Sequence, residues 1–275
     1  VFAHHVNGTG RGGVALAVLV AATAQYTAGF GFALLGVPLM ATVINTHDAV
    51  IITVWLGLVT SSLQAVEGRR VLDRPLATRL TVGTILGIPI GSTVFVLVDE
   101  RTLTVVLGIC VLMATAVLAR GFQLTSPSTR PEWVAGVVSG ALASSLATNG
   151  PPLVAVLQAR RLPISVFRAT INTVFAVANV LALVAFAVTG DLEMRQLVLS
   201  ATTLPILGAG VALGLRLRRM IDETRARRMV LGLLALAGAH DLVLEAARRR
   251  VSLDFGRGRL KAAKRLDQDP KIDNH

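Results

Sequence analysis

A series of long apolar stretches with few or no charges constrains this chain more than any other feature. Several stretches run for about 20 residues without Asp, Glu, Lys or Arg, which is the length of helix that crosses about 30 Å of hydrocarbon. Of the 275 residues, 16% are charged and 53% are hydrophobic, whereas soluble domains carry roughly 25% charged residues. The sequence therefore predicts an all-α polytopic membrane protein and excludes disordered and fibrous classes.

The apolar stretches follow the same order twice. The first half has windows at 14–44, 49–66, 76–98 and 102–119, and the second has windows at 134–158, 166–188, 197–215 and 229–244. A polar segment, ARGFQLTSPSTRPEW, separates the two sets. We therefore divide the chain into a first transmembrane repeat (1–119), a linker (120–132), a second transmembrane repeat (133–246) and a basic tail (247–275).

The first window of each half is interrupted by Gly and Pro, and we expect the second one to break at residues 147–151. Proline lacks an amide donor, and glycine and asparagine tolerate unusual dihedral angles. Because hydrocarbon tolerates unpaired backbone only where protein buries it or where it lines a wet cavity, the two breaks mark a candidate solute site. Its residues are Gly29, Gly31, Gly36, Pro38, Thr148, Asn149, Gly150, Pro151 and Pro152. In this interpretation Gly36 and Pro38 correspond to Gly150 and Pro152.

The positions of the arginines indicate how the broken windows run. If each broken window is a re-entrant hairpin, each half crosses three times and the halves are inverted repeats. Most arginines then collect on one side, as the positive-inside rule requires. If every window crosses once, Arg160, Arg161 and the cluster at 216–228 lie opposite the cluster at 69–79.

We therefore favour the hairpin arrangement, although the basic tail would then lie outside. Three alternatives stay open for the tail. The last window does not fully cross, each half crosses an even number of times, or the tail escapes the rule.

An anion at this site needs hydrogen-bond donors. The first amides of a helix have no internal partners and lie at the positive end of its dipole, so we expect the arms that follow Pro38 and Pro152 to present them. Some polar side chains near the breaks either add donors or satisfy the freed backbone. They are Gln25, Tyr26, Thr27, Ser144, Ser145, Thr148 and Asn149.

Three ionisable residues carry hypotheses of their own. Arg168 either attracts anions towards the site or anchors its helix at the interface. His240 and Asp241 either relay a coupling proton or lie at the interface near a helix end.

Contact between helices is the expected role of two asparagines, through hydrogen bonds, and of two GxxxG pairs, through close packing. The asparagines are Asn172 and Asn179, and the pairs are Gly87 with Gly91 and Gly210 with Gly214.

With its two broken windows the chain resembles the TauE/SafE sulfite-exporter family, also called the TSUP transporters. The resemblance covers residues 14–246 and is carried by GFGFALLGVPLM at 29–40, GALASSLATNGPPLVAVL at 140–157, Pro163 and VFRATIN at 166–172. It implies a multi-pass permease of the plasma (inner) membrane for small anions such as sulfite and organosulfonates. Family members often have consecutive glycines where this chain has Gly31, Phe32 and Ala33, which leaves the substrate and the symmetry of the two half-sites open.

Other classes of function are less consistent with the sequence. A membrane-embedded enzyme needs clustered catalytic groups, and the sequence has no His-x-x-x-His, no paired carboxylates in a span and no Gly-x-Ser-x-Gly. A structural or signalling membrane protein would not need two matching breaks. With Cys110 as the single cysteine, an intrachain disulfide and a Cys-based metal cluster are excluded, and we expect no cofactor.

The formal charge of +11 raises the question of nucleic-acid binding. Membrane orientation and the tail account for most of it, and the sequence contains no nucleic-acid reader motif. The N-terminal residues lack the features of a secretory signal, so the first window is expected to stay. The expected partners are therefore a small anionic solute and the lipid bilayer.

Overall fold

A computed structural model of the protein describes residues 8–99, 102, 129–146, 150–160 and 162–220. The helices of the first half are α1 (Gly8–Ala28), α2 (Phe32–Ala41), α3 (Thr46–Gly68) and α4 (Arg74–Leu97), and those of the second half are α5 (Arg130–Leu146), α6 (Gly150–Ala159), α7 (Ile164–Thr189) and α8 (Met194–Met220). The prediction of an all-helical fold is confirmed for this part of the chain. The windows at 102–119 and 229–244, Cys110 and the basic tail lie outside the described residues.

Among the described helices, α3, α4, α7 and α8 are long and apolar enough to cross a membrane. Large apolar side chains are exposed on their outer faces, among them Leu86, Ile90, Val184 and Val198. Such faces suit contact with hydrocarbon, which has no polar partners to offer. The chain is therefore a multi-pass membrane protein.

Side-chain caps start the first two of these spans. Asn45 Oδ1 accepts the amide of Asp48 at 2.7 Å, and Asp73 Oδ1 accepts the amide of Leu76 at 3.1 Å. Each cap satisfies one of the backbone donors that a helix start leaves without a partner. The polar segments between the apolar windows thus fix where α3 and α4 begin.

The first broken window folds back on itself at Gly29–Gly31. Both glycines have positive φ, 90° and 109°, a conformation that L side chains rarely adopt. Beyond the break, α2 returns along α1: a Cβ placed on Gly36 would lie 3.6 Å from that of Ala21, and one on Gly13 would lie 2.8 Å from Val43 Cγ1. The two ends of the window meet, so the window is a hairpin (hairpin 1, α1 and α2).

The position of this break corrects one prediction. Gly36 and Pro38 lie inside α2, so the second arm begins at Phe32 and not after Pro38. Proline costs a helix one backbone hydrogen bond but keeps φ near the helical value, whereas the positive φ of Gly29 and Gly31 cannot continue a right-handed helix. The start of α2, rather than Gly36, is thus the counterpart of Gly150, where α6 begins.

The second broken window also returns to its starting side. Helix α5 ends and α6 begins on either side of residues 147–149, which lie outside the described residues. Arg160, directly after α6, forms an ion pair with Glu132 in the first turn of α5. The ends of this window therefore meet as well, and α5 and α6 form hairpin 2.

Glu132 also pairs with Arg79, near the start of α4. Arg79 and Arg160 consequently lie on the same side of the molecule. A single crossing of the second broken window would place them on opposite sides. The shared carboxylate therefore favours the hairpin arrangement.

We expect Glu132→Gln to lower the free energy of unfolding by about 2 kcal/mol, because it removes the carboxylate from between two guanidinium groups. The Glu132 side chain is 1% exposed and each arginine side chain is 28% exposed, so water relieves part of the loss. Thermal unfolding in detergent measures the effect. Glu67→Gln, at an exposed position of α3, is the matched control, and equal losses in both variants would contradict a stabilising cluster.

The two halves interlock through two parallel helix pairs. Helix α4 packs along α5, and Gly87 and Gly91 lie directly against the α5 backbone at Val137 and Ala141. Helix α8 packs along α1 in the same way, and the hydroxyl of Thr23 lies 3.3 Å from the carbonyl oxygen of Gly210. The prediction that the GxxxG pairs pack helices closely is confirmed.

Helices α3 and α7, which occupy matching places in the two halves, pack against each other at the centre of the molecule. A Cβ on Gly57 would lie 3.1 Å from Asn179 Nδ2, and one on Gly68 would lie 2.6 Å from the Cβ of Ala169. Residues later in α3 thus contact residues earlier in α7. The two helices are antiparallel.

Candidate functional site

A small cavity lies where the two hairpins meet the α3–α7 pair. Its lining residues come from both hairpins and both central helices: Gln25, Gly31, Phe32, Ala33, Leu34, Thr53, Gly57, Ser61, Gly150, Phe175 and Asn179. Its volume is about 20 Å³, which is room for about one or two waters. In this conformation the cavity is therefore small.

The first turns of α2 and α6 both border the cavity. A Cβ on Gly150 would lie 3.5 Å from Leu34 Cδ1, so the two helix starts are neighbours. The amide of Phe32 donates to Gln25 Oε1 at 3.0 Å, and the amide of Leu35 donates to the carbonyl of Gly31 at 3.1 Å. Helix geometry leaves the amides of Ala33 and Leu34 as the donors available to a ligand at this end of α2.

The start of α6 offers fewer donors. Pro151 and Pro152 occupy its first turn and have no N–H group. Only Gly150 and Leu153 therefore carry amides there. Proline at this position is compatible with a helix start, because the missing N–H would have had no partner within the helix.

Thr53 of α3 presents a hydroxyl group to the cavity. The residue is 1% exposed, and its Oγ1 has no hydrogen-bond partner among the described residues. On the same helix, Thr60 Oγ1 donates to the carbonyl of Gly57 at 3.1 Å. An unpaired buried hydroxyl is costly, so its place beside a cavity indicates a position for a ligand or a water.

Asn172 of α7 holds the break of hairpin 1 in place. Its Nδ2 donates to the carbonyl of Gly29 at 3.1 Å and to Gln64 Oε1 at 3.3 Å, and its Oδ1 accepts from Gln25 Nε2 at 2.9 Å. The prediction that Asn172 bonds to other helices is confirmed. Asn179, about two turns further along the same face of α7, lines the cavity.

Comparison with known proteins identifies the family. The family model described as "Sulfite exporter TauE/SafE" matches residues 14–240, a range that includes most of hairpin 1, all of hairpin 2 and every residue lining the cavity. The chain belongs to the TauE/SafE family. No curated protein and no solved structure matches the chain. Membership in TauE/SafE, together with the apolar spans, indicates a membrane transporter of sulfur-containing anions.

In this TauE/SafE protein Arg168 lies against the break of hairpin 1. Its Nη2 donates to the carbonyl of Thr27 at 3.1 Å, and its side chain covers Gly29, where an added Cβ would lie 2.6 Å from Arg168 Cγ. Thr27 is in the last turn of α1, at the negative end of the helix dipole. Arg168 therefore caps α1, and a role in attracting anions stays a prediction.

The structure brings together only part of the set of candidate residues that the sequence indicated. Gly31 and Gly150 line the cavity, whereas Gly36 and Pro38 lie further along α2. Ser144 donates to the carbonyl of Ile88 at 2.8 Å and Ser145 to that of Ala141 at 2.7 Å, so both satisfy backbone. Four other candidates lie outside the described residues and stay predictions: Thr148, Asn149, His240 and Asp241.

Sequence reasoning missed the contribution of α3. Thr53, Gly57 and Ser61 recur at intervals of four residues, and Gln64 follows after three, so all four share one face of the helix. Three of them line the cavity. The sequence feature that could have indicated this contribution is a stripe of small and polar residues along an otherwise apolar span.

Proposed function

We propose that this TauE/SafE protein carries a small sulfur-containing anion, such as sulfite or an organosulfonate, through the cavity between the two hairpins. The observation that carries the proposal is the meeting of two helix starts at one cavity that also contains the buried hydroxyl of Thr53. Helix starts direct free amides and the positive ends of their dipoles at a bound anion. The site thus supplies donors without a formal charge.

The arrangement of the halves supports a proposal about topology. We propose inverted repeats, with hairpins that enter from opposite faces of the membrane. Three observations favour it: the antiparallel pairing of α3 with α7, the return of each hairpin to its own side, and the reciprocal pairs α4–α5 and α1–α8. In such transporters the substrate lies near the bilayer midplane, at the interface of the repeats.

The small size of the cavity suggests how transport proceeds. The cavity of about 20 Å³ holds about one or two waters, whereas a sulfur oxyanion has four or more heavy atoms, so we expect the hairpins and the α3–α7 pair to separate to admit it. Alternating access of this kind moves one bundle against another around a fixed site. In such a cycle the described conformation is one in which the site is too small for the anion.

Transport assays with proteoliposomes test the site. We expect Thr53→Val to slow the movement of sulfite or a sulfonate about tenfold, because it removes a hydrogen bond to a charged ligand. Thr60→Val is the matched control, since its hydroxyl is bonded within the same helix. If the unmodified protein moves no sulfur oxyanion, the function is wrong; if Thr53→Val matches it, the site is wrong.

Asn149 allows a second test of the same site, as it directly precedes Gly150 at the start of α6. In the proposed site its side-chain amide adds a donor for the anion. We expect Asn149→Leu to impair transport, and unimpaired transport would exclude Asn149 from the site.

A further inference from the structure

We infer that the site selects singly charged anions, namely hydrogensulfite and organosulfonates with one charge, over the dianions sulfite and sulfate. The inference rests on the proposed function and concerns the charge of the substrate at the same cavity. Two features of the site support it: the amount of positive charge at the two helix starts, and the lack of formal charge in the rest of the described lining.

The positive charge comes from the two helix starts. Each helix start presents the equivalent of about half an elementary charge, and two of them, at Phe32 of α2 and Gly150 of α6, border the cavity. Because Pro151 and Pro152 remove two of the amides at the start of α6, the two starts together supply at most about one positive charge, which balances no more than a monoanion. A dianion would leave one negative charge without compensation.

Among the described residues, the remaining lining of the cavity consists of uncharged polar groups and apolar groups. Thr53 and Asn179 offer a hydroxyl and an amide, whereas Leu34 and Phe175 present hydrocarbon. The hydroxyl of Ser61 donates to the carbonyl of Gly57 in its own helix. Thr53 and Asn179 donate hydrogen bonds to an anion but do not balance charge. Arg168, a nearby cation among the described residues, is not part of the lining. Its guanidinium donates to the carbonyl of Thr27, at the negative end of the α1 dipole, which offsets part of its charge.

The cost of removing an ion from water decides between the two charge states. In a continuum description this cost rises with the square of the charge, so a dianion loses about four times as much hydration as a monoanion of equal size. Doubling the charge only doubles its interaction with the fixed helix dipoles. The balance therefore favours the monoanion.

A consequence concerns protons. Sulfite takes up one proton near neutral pH and becomes hydrogensulfite, which carries that proton across and releases it when it dissociates on the other side. Each sulfite then crosses with one proton and one net negative charge. Proton transfer of this kind requires no titrating side chain in the site.

The experiment compares three solutes on the full chain in proteoliposomes. Methanesulfonate and sulfate have the same tetrahedral shape, but the first carries one charge and the second two at all working pH values. We expect methanesulfonate to be transported and sulfate to be moved at least about tenfold more slowly. Sulfite transport should fall about tenfold for each pH unit above its pKa, as the fraction of hydrogensulfite does, while methanesulfonate transport stays constant.

Protein-free vesicles measure leakage of neutral sulfur dioxide, which is subtracted. Sulfate transport as fast as that of methanesulfonate, or sulfite transport that rises with pH, overturns the charge selectivity and leaves the proposed function standing. Failure of the protein to move both methanesulfonate and sulfite overturns the proposed function itself. A binding measurement, the rise in unfolding temperature with each solute in detergent, separates selectivity in binding from selectivity in later steps.

Discussion

Asn172→Leu is expected to lower the free energy of unfolding by about 4 kcal/mol and to slow transport about a hundredfold. The substitution keeps the approximate size of the side chain but removes four hydrogen bonds. Three of them join other helices or the break, to Gly29, Gln25 and Gln64, and the fourth goes to the carbonyl of Arg168 one turn earlier. Because the three partner groups outside α7 are buried, each loses its bond without gaining water. The break of hairpin 1 also loses the contact that holds it beside the cavity.

Unfolding in detergent and transport in proteoliposomes measure the two effects separately. Thr173→Val is the matched control on the same helix, since the Thr173 hydroxyl is bonded to the carbonyl of Ala169, four residues back. We expect the control to retain both stability and transport. An Asn172→Leu variant that unfolds at the same temperature as the control would show that the amide network does not hold the hairpin.

Gly87→Ala is expected to destabilise the protein by about 3 kcal/mol, and Gly87→Val by more. A Cβ at this position meets the carbonyl oxygen of Val137 in α5, an atom that cannot turn aside because it belongs to a helix backbone. Helices α4 and α5 must then move apart, and close approach through small residues is the main source of their association in a membrane.

Helix α8 provides an internal comparison for this prediction. Gly210 is buried against α1, where a Cβ would lie 2.8 Å from the carbonyl oxygen of Leu19, whereas a Cβ on Gly208 meets nothing within 4 Å. We expect Gly210→Ala to destabilise and Gly208→Ala to be neutral or to stabilise by up to about 1 kcal/mol, the difference in helix propensity. If both variants of α8 behave alike, helix propensity rather than close packing controls these glycines.

Several features of the fold could be predicted from the sequence because they depend on local chemistry. Uncharged windows of sufficient length predict spanning helices regardless of their neighbours, and the described helices confirm this. The end of α5 at Leu146 and the start of α6 at Gly150 agree with the predicted break at 147–151, because consecutive Pro151 and Pro152 fit the start of a helix. The family was identified from the two broken windows and is confirmed by the match over residues 14–240.

The break of hairpin 1 shows where local chemistry is insufficient. Gly29, Gly31, Gly36 and Pro38 all weaken a helix, and the sequence does not say which of them will break it. Contacts with the second half decide. Arg168 caps α1 and Asn172 bonds to the carbonyl of Gly29, which fixes the turn at the first two glycines and leaves the other two residues inside α2.

By itself the sequence determined that the chain is a helical membrane protein, and it predicted two similar halves with a broken window in each, since hydropathy and backbone preference act over a few residues. Only the tertiary structure decided which donors face one cavity. Thr53, the start of α2 and Gly150 lie far apart in the chain and meet through the packing of α3 against α7. The ion pairs of Glu132 with Arg79 and Arg160 likewise exist because the hairpin brings its ends together, and no local pattern specifies such a contact.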